Sequence, residues 1–205
     1  LGGITMGFQL SSAIALARGV LQDTEETYRY SDADLLEYGN GALRALPNIK
    51  PQWLYTEGDL TCETGETLQS VSFDDAHALI DVVRVKSGSA LTRFDKAALD
   101  AFMPGWMAAA ASAAQQWAPN GDDPRRFYLD KPAPAAQVVV VLYVRIPGPY
   151  AIDDDTGLPE TITEAVADYM VGMAESRNDE AANSGRATQF INQFAARLGG
   201  AQAKG

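Results

Sequence analysis

Apolar positions recur at helical spacing near both ends of the chain, and alternate or run together in its middle. Residues 11–21 read as a first helix: Ser11 or Ser12 can cap it, and Ile14, Val20 and Leu21 supply a partial apolar face. Polar residues 22–27 break the pattern. A second helix is predicted from Ser31, where Asp34 three residues on makes a shortened capping box. Leu35, Leu36, Ala42, Leu43 and Leu46 then follow at helical spacing until Pro47, which is expected to stop the run. Gly39 and Gly41 lie inside this helix, where each costs about 1 kcal/mol relative to alanine. They suggest close approach of another helix in preference to a local break.

In the middle of the chain, segments 68–73 and 78–85 are β-branched and partly alternating, which predicts two strands joined by the short connection 74–77, with His77 as a turn residue. Segment 95–102 reads as a short helix capped by Asp95 and ended by Pro104-Gly105. Residues 108–116 favour helix by propensity but hold no large apolar anchor, so helix and ordered loop both stay open. Asn120-Gly121-Asp122-Asp123-Pro124 is a loop. Segments 126–129 and 137–146 follow as strands, the second apolar on both faces like a buried central strand, with Pro132 and Pro134 stiffening the connector. An antiparallel unit of about four strands is expected here.

Pro147-Gly148-Pro149 closes that unit and an acidic turn, Asp153, Asp154 and Asp155, follows. Pro159 and Glu160 suit a helix start, and Ile162, Val166, Tyr169, Met170 and Met173 form one stripe. After a turn at Arg177, Asn178 and Asp179, the spacing repeats in Ala187, Phe190, Ile191, Phe194 and Leu198. Gly199 and Gly200 end the helix and 201–205 is a small polar tail. The expected fold class is α+β: a helical bundle from the N- and C-terminal helices brackets an antiparallel β-rich insert. The parts are 1–60 (helical), 61–150 (the insert) and 151–205 (a helical pair packing with the N-terminal helices).

At 205 residues the chain can bury roughly 70% of its extended surface, so a core needs no disulfide or metal. Sixteen Lys and Arg against 27 Asp and Glu give a net charge of −11, a poor match for duplex phosphates or an anionic membrane surface. The single cysteine, Cys62, forms no intrachain bridge, which leads us to expect a reducing compartment. The apolar run 138–144 is far short of the ~20 residues of a spanning helix, and no basic start followed by an apolar run marks a signal peptide.

Chemistry-bearing constellations are weak. His77 and Cys62 alone assemble no metal set, no serine lies in a Gly-x-Ser-x-Gly turn, and no phosphate loop or dinucleotide fingerprint occurs. Counted from Asp153, the sixth position of a calcium loop would be Leu158 where glycine is needed, so a solvated turn feeding charge to the next helix start is the better reading. Arg125 and Arg126 beside Phe127 and Tyr128 read as strand-edge charges more than as a nucleic-acid contact. Trp53, Trp106 and Trp117 read as packing residues, with Trp106 plugging the β-unit. No catalytic, cofactor or metal residue is assigned.

The order of several short motifs nevertheless resembles the tailed-phage head–tail adaptor (connector) proteins. They are Ala15-Leu16-Ala17-Arg18-Gly19-Val20-Leu21-Gln22-Asp23, then Tyr30-Ser31-Asp32-Ala33-Asp34-Leu35-Leu36, then Asn40-Gly41-Ala42-Leu43. In that family a Leu-x-Asp-like element ends the first helix and an aromatic-Ser-Asp opens the second. The similarity continues through residues 78–85, Met103-Pro104-Gly105-Trp106, Asp123-Pro124-Arg125-Arg126-Phe127-Tyr128-Leu129 with the Pro-rich turn (Pro132, Pro134) and apolar strand after it, Ala165 to Met170, and Asp179-Glu180-Ala181-Ala182. It covers residues 14–199, with the alanine-rich stretch 107–116 as a departure.

The resemblance implies a structural protein with no enzymatic activity and no cofactor. It would form a ring of about twelve copies under the portal, extend the DNA channel and present a tail-attachment platform. Implied partners are the portal protein, tail or neck proteins and further copies of itself; DNA would pass without specific binding, and no membrane is involved. The implied location is the virion head–tail junction, after assembly in the host cytoplasm. A portal contact would fall on Leu198, Gly199, Gly200, Gln202 and Lys204, in a tail expected to order on the portal. The alternatives are another tail or neck component, and a metal-dependent hydrolase using Asp153, Asp154 and Asp155 with Asp74 or Asp75.

Overall fold

A computed structural model describes residues 7–25, 28–177 and 184–199. In chain order the elements begin with α1 (Leu10–Leu21), α2 (Asp32–Ile49), β1 (Tyr55–Thr61), β2 (Leu68–Ser70), β3 (Ala76–Val85) and β4 (Thr92–Arg93). They continue with α3 (Lys96–Phe102), β5 (Gln116–Pro119), β6 (Arg126–Leu129), β7 (Val138–Arg145), α4 (Thr163–Ser176) and α5 (Ser184–Gly199). The chain is α+β, its terminal helices flanking a β insert. It divides into two units: a helical one made of Leu1–Trp53 with Pro147–Gly205, and a β one, Leu54–Ile146.

In the helical unit α4 packs against α1, α2 and α5. Leu10, Ile14, Leu35, Leu43, Leu46, Val166, Met170, Phe194 and Leu198 form its buried apolar set, and the stripes read for α2, α4 and α5 turn inward. In α1 only Ile14 of the expected face is buried, while Leu21 is half-buried and Val20 is exposed, because Leu10, Ala13, Ile14 and Ala17 make the inward face instead. Ser31 caps α2, its hydroxyl accepting from the Asp34 N–H at 3.1 Å. Pro47 does not stop that helix, which runs on to Ile49. So near the end a proline forfeits only its own N–H bond, and Lys50 N still donates to the Leu46 carbonyl at 2.8 Å. Gly39 is where helices close in: a β-carbon there would overlap Met170 Cε of α4 and lie 2.7 Å from Leu10 Cδ2 of α1. Pro159 precedes a 3-10 turn, Glu160–Ile162, from which α4 continues. The predicted turn residues Asn178 and Asp179, and Gly200 with 201–205, lie outside the described residues.

In the β unit, β7 sits between β1 and β3, antiparallel to both, and a second sheet runs β2-β6-β5-β4. The β4–β5 pair is parallel. This is more than the single four-stranded arrangement expected. The segments read as neighbouring strands part company: β2 pairs with β6 and β3 with β7. His77 is therefore a half-buried residue of β3 and not a turn residue; the turn is at Asp74 and Asp75. Residues 108–116 form no helix. A 3-10 turn, Trp106–Ala108, leads into irregular chain, and Gln116 opens β5.

Val82, Val139 and Val141 of the first sheet share one core with Trp117, Phe127 and Leu129 of the second. The two-faced apolar pattern of β7 is realised, with Val139, Val140, Val141 and Val144 all buried. Asp95 caps α3 by accepting from Ala97 N at 2.9 Å. Trp106 does act as a plug: its ring meets Phe94 and Tyr128 edge-on, and its indole N–H donates to Asp100 at 2.7 Å. Among the described residues no helix is long and apolar enough to cross a membrane.

Candidate functional site

The motif residues around α1 and α2 converge on one cation. Arg18, at the last turn of α1, donates to Asp23 at 3.0 Å, to the Tyr30 carbonyl at 3.1 Å and to Asp32 at 2.5 Å. Asp23 also accepts from the backbone N–H groups of Arg29 and Tyr30 at 2.7 and 3.1 Å. The Tyr28 ring lies 3.7 Å from the guanidinium carbon. Arg18 and Asp23 are both buried, so this is a desolvated clip that folds the connection back on itself. Among the described residues the buried Tyr30 hydroxyl has no hydrogen-bond partner, and burial raises its pKa. Asn40, another motif residue, accepts from Tyr150 N at 2.8 Å and donates to its carbonyl at 3.0 Å. It thereby ties the segment after Pro149 to α2. The quoted motifs thus hold the helical unit in shape.

Two arginines brace the same unit through ion pairs. Arg177 donates to Asp34 at 2.6 Å and to the Tyr38 hydroxyl at 3.0 Å, and Arg197 donates to Asp168 at 2.7 Å and also to Glu164. Burial raises the Asp168 pKa, while Arg197 pulls in the other direction.

The acidic turn is tied to its own backbone and to the segment before α1, where Gln9 donates to the Asp153 carbonyl at 2.8 Å. Asp154 accepts from Ala151 N at 2.7 Å, and Asp155 accepts from Gly157 N at 2.8 Å and Gly7 N at 3.2 Å. These carboxylates are therefore engaged in closing the loop. Asp75 belongs to the β unit, where it accepts from the Tyr143 hydroxyl at 3.1 Å. Among the described residues no group of three or more His, Cys, Asp or Glu could hold a metal ion. Burial pushes the Cys62 thiol up to about 11, which opposes thiolate chemistry.

Of the residues implied as a portal contact, Leu198 is buried in the helical unit and Gly199 is exposed; Gly200, Gln202 and Lys204 lie outside the described residues. What the sequence reading passed over is apolar and exposed. Phe102 is 85% exposed at the end of α3, with Met103 and Met107 beside it in sequence. Leu16 is also exposed on α1, as is Val20, which was expected on that helix's apolar face. The available signal was an absence of charge: residues 101–121 contain no Asp, Glu, Lys or Arg.

Comparison with known proteins places these features in a family. No curated protein matches the chain. A chain in a solved structure described as the neck of an empty GTA particle computed with C6 symmetry is 17% identical, with 90% of each chain covered and a TM-score of 0.31, too loose a likeness to add anything. The model of the family described as SU10 adaptor protein matches residues 9–205. With nearly its whole length inside that match, the chain belongs to the SU10 adaptor protein family.

Proposed function

We propose that this chain is a structural head–tail adaptor of a tailed phage. The observation that carries the reading is the family match over residues 9–205. In this reading about twelve copies close into a ring under the portal, continue the DNA channel and offer the tail a platform. The net charge of −11 suits both tasks. It keeps free subunits apart before they reach the portal, and it denies DNA phosphates a cationic grip as the genome passes. The segment from Leu198 through Gly199, Gly200, Gln202 and Lys204 is the proposed portal contact. It continues from α5, whose Leu198 is anchored in the helical unit.

The reading is tested by mixing the chain with purified portal and imaging the product by negative stain. A ring stacked on one end of the portal is the expected result. Attachment to tail proteins alone would instead make the chain a tail component, and binding to neither would remove the adaptor reading.

A further inference from the structure

Two stretches of this strongly anionic chain, α1 and residues 101–121, contain no carboxylate and expose apolar side chains. Arg18 is the only charged residue of α1, and it is buried, so Ala15, Leu16, Gly19 and Val20 face outward with no charged side chain of their own helix beside them. A surface helix ordinarily puts its charged residues there. A cation from outside the helix does reach this side: Arg186 of α5 donates to the Val20 carbonyl at 3.1 Å. The second stretch forms the tip of the β unit, where Phe102, Met103 and Met107 are 85%, 59% and 42% exposed, and the exposed alanines 108–111 follow.

We propose that the Phe102–Met103–Met107 tip of one copy packs on the Leu16–Val20 face of α1 in the next copy. This rests on the ring-forming reading above and names its subunit contact. Charge selects a second copy as the occupant. Two chains of −11 repel wherever carboxylates face each other, and these patches are where they meet without that cost. Shape selects tip on helix. Phe102 projects, while Gly19 leaves open space where a β-carbon would stand, between the flanking Leu16 and Val20. Each copy owns one patch of each kind, so the contact is head-to-tail, the type that propagates around a ring.

The test uses the full chain under conditions where it forms rings, with portal present if needed. Cys62 is buried, so introduced thiols are the reactive ones. Gly19→Cys with Phe102→Cys, treated with a short bis-maleimide, is expected to give a ladder of linked multimers, whereas each single variant stays monomeric on a denaturing gel. In parallel, Leu16→Asp and Phe102→Asp should each raise the concentration needed for rings by about tenfold or more, with unchanged circular dichroism. Dimers from Phe102→Cys alone would mean tip meets tip, and would overturn the inference. So would rings that form without the double-variant ladder, or at the wild-type concentration in both Asp variants. Those results leave the adaptor reading standing. A wild-type chain that forms no ring with or without portal removes the ring reading, and this inference with it.

Discussion

Arg18 holds together a connection that would otherwise have little to order it. Removing its charge leaves Asp23 buried with two backbone donors but no counter-ion. Breaking a buried pair from one side is costly, so Arg18→Met should lower stability by about 3 kcal/mol, read from urea denaturation. Arg18→Lys should recover only part of it, since an ammonium cannot span three acceptors as the planar guanidinium does. Asp100 makes a pH-dependent case. Its pKa is lowered by hydrogen bonds from Lys96 first and Trp106 second. The folded state therefore holds the proton less tightly than the unfolded state. Its stabilising contribution is present above the ordinary carboxylate range and is lost as pH falls through the lowered value. Asp100→Asn should flatten that part of the acid dependence, measured as the denaturant midpoint against pH with Trp106 fluorescence as the local reporter. At this scale the sequence was half legible. Arg18, Asp23, Tyr30 and Asp32 all stood inside recognised motifs, but their convergence depends on how the loop folds back. The caps at Ser31 and Asp95 were readable because a cap is a contact within three residues.

The helices were legible because their period is local. Gly39 was readable for the same reason: a glycine costs a helix stability unless a neighbour needs the space. Gly39→Ala should therefore destabilise by roughly 1–3 kcal/mol from overpacking against Met170 and Leu10, partly offset by about 1 kcal/mol of helix propensity. The thermal midpoint would report a net fall; a rise would mean that the α1–α2–α4 junction yields more easily than close packing allows. Strand pairing was harder to read. β2 and β3 are consecutive in the chain, yet their partners, β6 and β7, lie far along it. Nothing in a short turn at Asp74 and Asp75 distinguishes a hairpin from a change of sheet. β1 was missed because Tyr55–Thr61 is mostly polar and exposed, and β5 because Gln116–Pro119 is short and ends in proline. β7 was found because burial on both faces needs a continuous apolar run. Val141→Ala in that strand should cost about 2–4 kcal/mol by the cavity it leaves, measurable in the same urea titration.

For the whole molecule, charge is the lever. Subunits of −11 should associate more readily as salt rises, because the screening length falls from about 30 Å at 0.01 M to about 8 Å at 0.15 M. Sedimentation at the two ionic strengths is expected to show more assembly at the higher one; an interface held by ion pairs would show the opposite. This property was open to inspection from composition alone, as was the lack of charge over 101–121, whereas the α1 patch emerged only once burial showed Arg18 turned inward. The first and last strands of the β unit are hydrogen-bonded neighbours, with Tyr55 opposite Val144, so the two ends of the unit stand about 5 Å apart. A module spliced in at so narrow a seam can be exchanged, enlarged or trimmed down to a short turn without respacing the flanking helices. What the β unit presents to neighbours can thus change while the helical scaffold stays as it is.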